Sequence, residues 1–238
     1  MADLDDLDAA VRRSDPDRWL ASRFIADPAA RADVMAIYAF NDALSRIADL
    51  VREPLAGEIR LAWWREALDE VFGPGPVRRH PVVEALALAV RRRRLARAPL
   101  EAMIEARHAD LEDAALDDEE AVERYIDGTA GAVMALAIAV LAAHDGLAAR
   151  PAAQAWALAG LWRLQQADGQ PRLPQGVEVR ARVAQALGAA RTALADLPVA
   201  AFPAVAYCAL AEPYAAGREP SELEKRLRLI WAVLRGRV

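Results

Sequence analysis

Four polar side chains, Tyr38, Asn41, Ser45 and Asp49, recur at three- and four-residue steps along one stretch of the chain. That spacing lines them up along one side of a helix. They run close beside an apolar stripe of Ile37, Phe40, Leu44, Ile47 and Val51, so a bundle could turn them inward toward a cavity. Arg46 stands among them, four residues after Asp42 and three before Asp49, a spacing that makes an ion pair or small network on the helix. Two chemistries suit such a face. Carboxylates at i and i+4 on facing helices hold a divalent cation, and guanidinium forks hold phosphate oxygens directly. Arg46, Arg60, Arg163 and Arg172 are the candidates for the second, each weighed against the plain alternative of a surface arginine.

Other catalytic arrangements are not visible. His80, His108 and His144 are scattered without ligand spacing and read as surface or loop residues. No nucleophile elbow, phosphate-binding loop or dinucleotide glycine pattern occurs. Cys208, the single cysteine, lies in an apolar stretch and reads as a small core residue. The chain has one Asp-x-x-x-Asp, Asp113 to Asp117, but it sits with Asp118-Glu-Glu120 ahead of an apolar run. Helix-capping acids explain it without a metal.

The elements that must position these residues are helices. Alanine, leucine and arginine dominate while β-branched residues are sparse, which favours helix nearly everywhere. Asp27-Pro28 starts the helix that carries Tyr38 to Asp49, and Pro54 ends it while opening the next, through Ile59, Trp63, Trp64 and Leu68. Gly73-Pro-Gly-Pro76 is a loop. Pro81 begins a helix ending in Arg91 to Arg94, which reads as a solvated C-terminus, with an anionic-lipid contact as the alternative. Tyr125-Ile-Asp-Gly128-Thr129-Ala-Gly131 leads into an apolar helix, Ala130 to Ala143. Its glycines point to a close helix crossing or to room for a ligand. Further helices are expected over Ala155 to Gln166, Val177 to Leu194, Pro198 to Tyr214 and Ser221 to Leu234, the last opened by a Ser221-x-x-Glu224 capping box.

The 238 residues, 55% of them hydrophobic and 27% charged, suffice for one buried core and exclude a largely disordered chain. Thirty basic against 35 acidic residues leave a net charge of −5, so nothing points to nucleic acid. The acidic start, Met1-Ala-Asp-Leu-Asp-Asp, does not have the form of a secretory signal. The Ala130–Ala143 run is too short to span a bilayer, so no transmembrane segment is expected. A lone cysteine suits a reducing, cytoplasmic location, with a peripheral contact at the inner membrane as the variant that the arginine run leaves open.

The stretch from Tyr38 to Asp49 resembles the first substrate-binding helix of the squalene/phytoene synthase family, roughly Tyr-x-Phe-Cys-Arg-x-x-Asp-Asp-x-x-Asp. Tyr38, Phe40 and Asp49 match; Asn41-Asp42 replace the Cys-Arg pair, and Ser45 and Arg46 replace the first two aspartates. Arg107-x-x-Asp110-Leu111 resembles the family's short Asp-Leu element, and Tyr125, Thr129, Ala130 and Gly131 resemble its Tyr-x-x-x-Ala-Gly element. Its second aspartate motif falls near Arg163, where Leu164 stands for the first aspartate and Asp168 has no acidic partner at i−4, before Arg172-Leu173-Pro174. The resemblance implies a single all-α domain over residues 1–238, a helical cup of about ten helices in the isoprenoid synthase style. It implies Mg²⁺ only for a catalytic member, and one surviving carboxylate with Arg46 beside it cannot build that cluster.

Three functions follow as expectations. The first is a non-catalytic family member acting as an interaction or assembly factor for a respiratory complex. The run from Phe40 through Gly57-Glu-Ile-Arg60-x-x-Trp-Trp64-Arg-Glu-Ala-Leu68 resembles a branch in which a phytoene-synthase-like domain belongs to a mitochondrial complex I assembly factor. The second is a prenyl-diphosphate transferase with a relocated metal site. The third is a protein that binds an isoprenoid or anionic lipid with arginines in place of Mg²⁺. The cup-lining candidates are Tyr38, Asn41, Ser45, Arg46, Asp49, Arg60, Trp64, Tyr125, Thr129, Arg163 and Arg172, with no catalytic residue and no metal ligand assigned.

Overall fold

The computed structural model describes residues 4–112, 116–144 and 146–238. Among these residues the chain forms α-helices joined by 3₁₀ and π turns, with no strand. Asp113 of the Asp113–Asp117 pair lies outside the described residues.

The organising rod is α3 (Pro28–Ser45). Its sequence starts it cleanly: Asp27 accepts from the Ala29 N–H at 3.0 Å, and Pro28 occupies the first turn, where a missing donor costs nothing. Its buried face, Val34, Ile37, Phe40 and Leu44, packs against α1 (Leu4–Ser14), α6 (Pro81–Arg93) and α9 (Ala132–Ala142). Short α2 (Pro16–Ser22), capped by Asp15, runs between α1 and α3. The expected continuous helix to Asp49 is interrupted. The Ser45 hydroxyl donates back to the Asp42 carbonyl at 3.0 Å, α3 ends there, and after Arg46 the chain makes one further turn, α4 (Ile47–Leu50). Such back-bonding by serine offers the backbone an alternative partner and bends a helix.

Pro54 opens α5 (Pro54–Phe72) as its type dictates. α7 (Arg97–Ala106) runs into a 3₁₀ turn, Arg107–Leu111. α8 (Glu119–Ile126), a π turn (Asp127–Gly131) and α9 form one continuous rod of 24 residues, longer than the apolar run alone suggests. This rod is long and apolar enough to cross a membrane, yet 61% of its most apolar window is buried in the protein, as in a core helix. Gly128 explains how it fits. A Cβ there would lie 2.7 Å from the Ala106 Cβ and 2.9 Å from the Ala102 carbonyl oxygen, so the glycine marks a close crossing with α7.

α10 (Arg150–Asp168) starts earlier than expected and packs along α11 (Val179–Ala193). The helix expected over Pro198–Tyr214, with Pro203 and Pro213 as interruptions, is broken into shorter pieces. Two 3₁₀ turns (Val199–Ala204 and Ala206–Leu210) and the short α12 (Ala211–Ala215) take its place. Pro203 has no N–H to extend an α-helical ladder, whereas Pro213 falls in the first turn of α12, where none is needed. α13 (Glu222–Arg235) closes the chain, its Ser221 cap accepting from the Glu224 N–H at 3.3 Å.

The arginine run at the end of α6 is exposed at Arg91, Arg92 and Arg94, as a solvated helix end would be, but it also makes a tie. Arg92 Nη1 and Arg93 Nε each donate to the carboxylate of buried Asp33, both at 2.7 Å. Two of its four charges thus tie α6 to α3.

Candidate functional site

The polar centre of the bundle is built around Arg107. This buried side chain leaves the 3₁₀ turn after α7 and spends its donors on three elements. Nη1 donates to Asp110 Oδ2 at 3.0 Å and to the Tyr125 hydroxyl at 2.8 Å, and Nη2 donates to Asn41 Oδ1 at 3.1 Å. Burial alone would lower the pKa of Arg107, but Tyr125 and Asp110 outweigh it and the net direction is upward, so the cation is fixed. Burial likewise pushes the Tyr125 phenol up, against the pull of Arg107, and it stays protonated. Thr129, in the π turn, donates to the Tyr125 carbonyl at 2.6 Å and fixes the backbone from which that ring projects.

A second buried cation faces the same interior. Arg18 of α2 donates from Nη1 to Asp15 Oδ2 at 2.6 Å, and its guanidinium carbon lies 5.1 Å from the Tyr207 ring centroid, 5.7 Å from Trp156 and 5.9 Å from Tyr38. Three aromatic faces thus surround one charge. Arg18 Nε and the Tyr207 hydroxyl are buried without a hydrogen-bond partner. Burial raises the pKa of both Tyr38 and Tyr207, so neither phenol offers an anion. Arg18 was not among the residues that spacing singled out. It is one arginine among many, and no local spacing sets it apart.

The predicted set therefore divides. Tyr38 is buried, and Asn41, Tyr125 and Thr129 meet at the Arg107 centre. Ser45 caps α3 rather than lining a space. Trp64 is packed edge-on against Phe40, Trp63 and His80, with ring centroids 4.9–5.4 Å apart, so it belongs to the core. His80 is the loop residue that precedes α6, as its position in the sequence suggests, and its half-buried ring joins this aromatic cluster. Arg46 is exposed and among the described residues reaches only Asp42, at 3.5 Å; Asp49 and Arg60 are exposed as well. The bend after Ser45 places Arg46 at the helix end, facing water. Arg163 is paired with Glu219 at 2.9 Å and stacked on Tyr214 at 3.9 Å. Arg172 pairs with Asp168 and receives Gln165 Oε1 at its backbone N–H, 3.0 Å away.

These residues do not fit the Mg²⁺ cluster of a catalytic relative. Among the described residues no three His, Cys, Asp or Glu side chains gather. Asn41 is held by a guanidinium, Asp49 is exposed, and Asp168 is engaged by Arg172. A surface cleft of about 580 Å³ opens elsewhere, lined by Trp162, Arg163, Leu164, Tyr214, Arg218 and Glu219 between α10 and the chain leading to α13. Behind it, Tyr214 donates to buried Asp17 at 2.6 Å, and Lys225 lies 3.3 Å from Asp17 and 2.6 Å from Glu219. The single lysine of the chain is thus a buried tie between α2 and α13.

The family model for squalene/phytoene synthase matches residues 11–177. Among curated proteins the chain is similar to NADH dehydrogenase (ubiquinone) complex I, assembly factor 6, from Bos taurus, 30% identical over 136 residues. The Homo sapiens protein of that name is 28% identical over 136 residues, and the Dictyostelium discoideum homolog 24% over 128. The first two matches cover 57% of this chain and 40% of the relative's length; the third covers 54% and 36%. A dehydrosqualene synthase crystallised with a ligand superposes with a TM-score of 0.82 at 16% identity, over 98% of this chain and 96% of that one. The squalene synthase HpnC from Alicyclobacillus acidocaldarius superposes with 0.65 at 17% identity, over 97% and 93%. The helical cup anticipated from the Tyr38–Asp49 stretch is therefore the isoprenoid synthase fold, and the chain belongs to the squalene/phytoene synthase family.

Proposed function

We propose that this protein is a non-catalytic family member that acts as an assembly factor for a respiratory complex of the complex I type, holding a protein partner rather than turning over a prenyl diphosphate. One observation carries the reading: the polar centre is spent on internal ties. Arg107 engages Asn41, Asp110 and Tyr125 together. A metal-dependent ionisation needs carboxylates presented to a cation and a diphosphate; here a fixed guanidinium already occupies those polar partners. The similarity to curated assembly factors, confined to 40% of their length, supports the same direction. A cytoplasmic location belongs to this proposal.

Loss of the gene should lower the amount of assembled complex on native gels while its subunits are still made. The purified protein should give no squalene- or phytoene-type product from farnesyl or geranylgeranyl diphosphate with Mg²⁺. Turnover that disappears on Asp49→Ala would overturn the non-catalytic part, and normal complex assembly in the deletion strain would overturn the rest.

One observation favours a second reading, capture of an anionic isoprenoid or lipid head group: Arg18 Nε and the Tyr207 hydroxyl are buried and unpartnered. Titration calorimetry with pyrophosphate and a prenyl diphosphate, without metal, separates the two. Micromolar binding abolished by Arg18→Ala supports head-group capture, and no heat at millimolar ligand removes it.

A further inference from the structure

The C-terminal helix has two unlike faces. One docks on the body through Lys225, Leu229 and Ala232, all buried. The opposite face carries Leu223, Leu227, Ile230, Trp231 and Leu234, exposed from 39% at Ile230 to 76% at Leu234. These positions follow each other at three- and four-residue steps, so they form one ridge along the whole helix. The helix is no loose tail. Its start is capped by Ser221, and Lys225 is tied to Asp17 and Glu219. Its far end is held by a bond from Arg191 Nε to the Val238 carbonyl at 2.8 Å. Five large apolar side chains in a row facing water on a firmly held helix call for a cover.

The charges beside the ridge say what kind. Arg226, Arg235 and Arg237 are exposed, and no acidic side chain pairs with them among the described residues. Arg235 stacks over Trp231 at 4.4 Å, at the edge of the ridge. Of the two acids on the helix, Glu224 is neutralised by Arg218 at 2.6 Å and Arg228 at 2.9 Å, and Glu222 lies 3.8 Å from Lys225. A protein of net charge −5 thus sets a locally basic border around this exposed apolar ridge. Leucine, isoleucine and tryptophan on one side with arginines at the margin is the composition of a helix that lies in a bilayer interface.

We propose that the exposed face of α13 seats this protein on an anionic lipid bilayer surface, with Leu223, Leu227, Ile230, Trp231 and Leu234 entering the head-group boundary and Arg226, Arg235 and Arg237 meeting lipid phosphates. The competing cover is a second copy, since Leu223, Leu227, Ile230 and Leu234 also have the 4-3-4 spacing of a helix–helix seam. A 14-residue helix, roughly 21 Å long, offers less than the roughly 800 Å² per partner of a stable protein interface. A membrane sets no such minimum. The surface lies apart from the Arg107 centre, so the proposal stands or falls independently of the assembly role.

The test is co-sedimentation of the full chain with vesicles of phosphatidylcholine alone and of phosphatidylcholine mixed with phosphatidylglycerol, alongside sedimentation equilibrium without lipid. The expected result is binding to the mixed vesicles only, weakened by added salt. Leu227→Gln with Leu234→Gln should reduce partitioning about tenfold or more, because roughly 0.8 kcal/mol is lost per CH₂ withdrawn from the apolar phase. Arg226→Gln and Arg235→Gln should each reduce it about fivefold. Neither pair touches the core, and an unchanged circular dichroism spectrum verifies that. Three results would overturn the proposal: no binding to the mixed vesicles, binding that the leucine pair leaves unchanged, or a dimer in solution that the leucine pair dissociates.

Discussion

The Arg107 centre and the Arg46 pair use the same two residue types, an arginine beside an aspartate, and have opposite consequences. Arg107 is buried and makes three hydrogen bonds that join α3, the turn after α7 and α8. Arg46 is exposed and reaches one carboxylate four residues back at 3.5 Å. Removing a partner from a buried pair strands a desolvated charge, whereas water takes the place of either member of an exposed pair. What an arginine does is decided by the solvent it has lost and the number of elements it joins.

Arg107→Ala is the severest test of this contrast. It leaves Asp110, Asn41 and Tyr125 without their donor, and should cost about 3 kcal/mol, in the range for breaking a buried ion pair. For a chain of this size that is roughly a 6–12 °C fall in Tm. A double-mutant cycle with Asn41→Ala should show coupling of about 1 kcal/mol. A loss no larger than that of a surface arginine would break the comparison. Asp33→Asn comes next. It removes the charge that two α6 arginines share, and urea unfolding should register about 2 kcal/mol, the scale of hydrogen bonds to charged groups.

A smaller effect is expected from pH. Burial lowers the pKa of His80 below its ordinary value, with Arg78 adding to the shift and Glu84 opposing it. The unfolded chain therefore takes up a proton that the folded one resists. His80 favours the fold fully above the ordinary histidine pKa, and that contribution is lost as pH falls through about 6.5 and below. Tm measured from pH 8 to 5 should fall less steeply in His80→Asn than in the parent chain. Parallel curves would show that His80 does not titrate in this window.

The sequence made the scaffold readable because proline and aspartate punctuate it: Asp27-Pro28, Glu53-Pro54 and Pro81 each start a helix in the structure. Tyr38, Asn41 and Tyr125 were readable as inward residues because helical spacing tied them to an apolar stripe. Arg107 entered only through the resemblance of Arg107-x-x-Asp110-Leu111 to a family element, and Arg18 not at all, since their other partners lie 66 residues away for Asn41 and on three separate elements for Tyr38, Trp156 and Tyr207. A local pattern holds no record of such meetings. The Arg46–Asp42 pair was readable from its i,i+4 spacing, whereas the Ser45 back-bond that turns Arg46 away from a cavity was not. The tie from Arg92 and Arg93 was not readable, because its counter-charge, Asp33, sits on a helix that the sequence does not place beside them.

The smallest effect closes the comparison from its other side. Arg46 occupies the position of a family aspartate, so a role in holding a ligand would make it costly to remove. The geometry gives it one long contact and open exposure, and an exposed i,i+4 pair contributes about 0.3–0.5 kcal/mol. Arg46→Ala should therefore shift Tm by no more than about 2 °C, and raising the salt concentration should erase the difference, because surface pairs are screened. The result gains force when Arg107→Ala is measured beside it in the same salts. Salt should leave the large loss nearly intact and remove the small one, since only the exposed pair is open to counterions. Equal salt sensitivity in both variants would show that burial does not separate the two arginines.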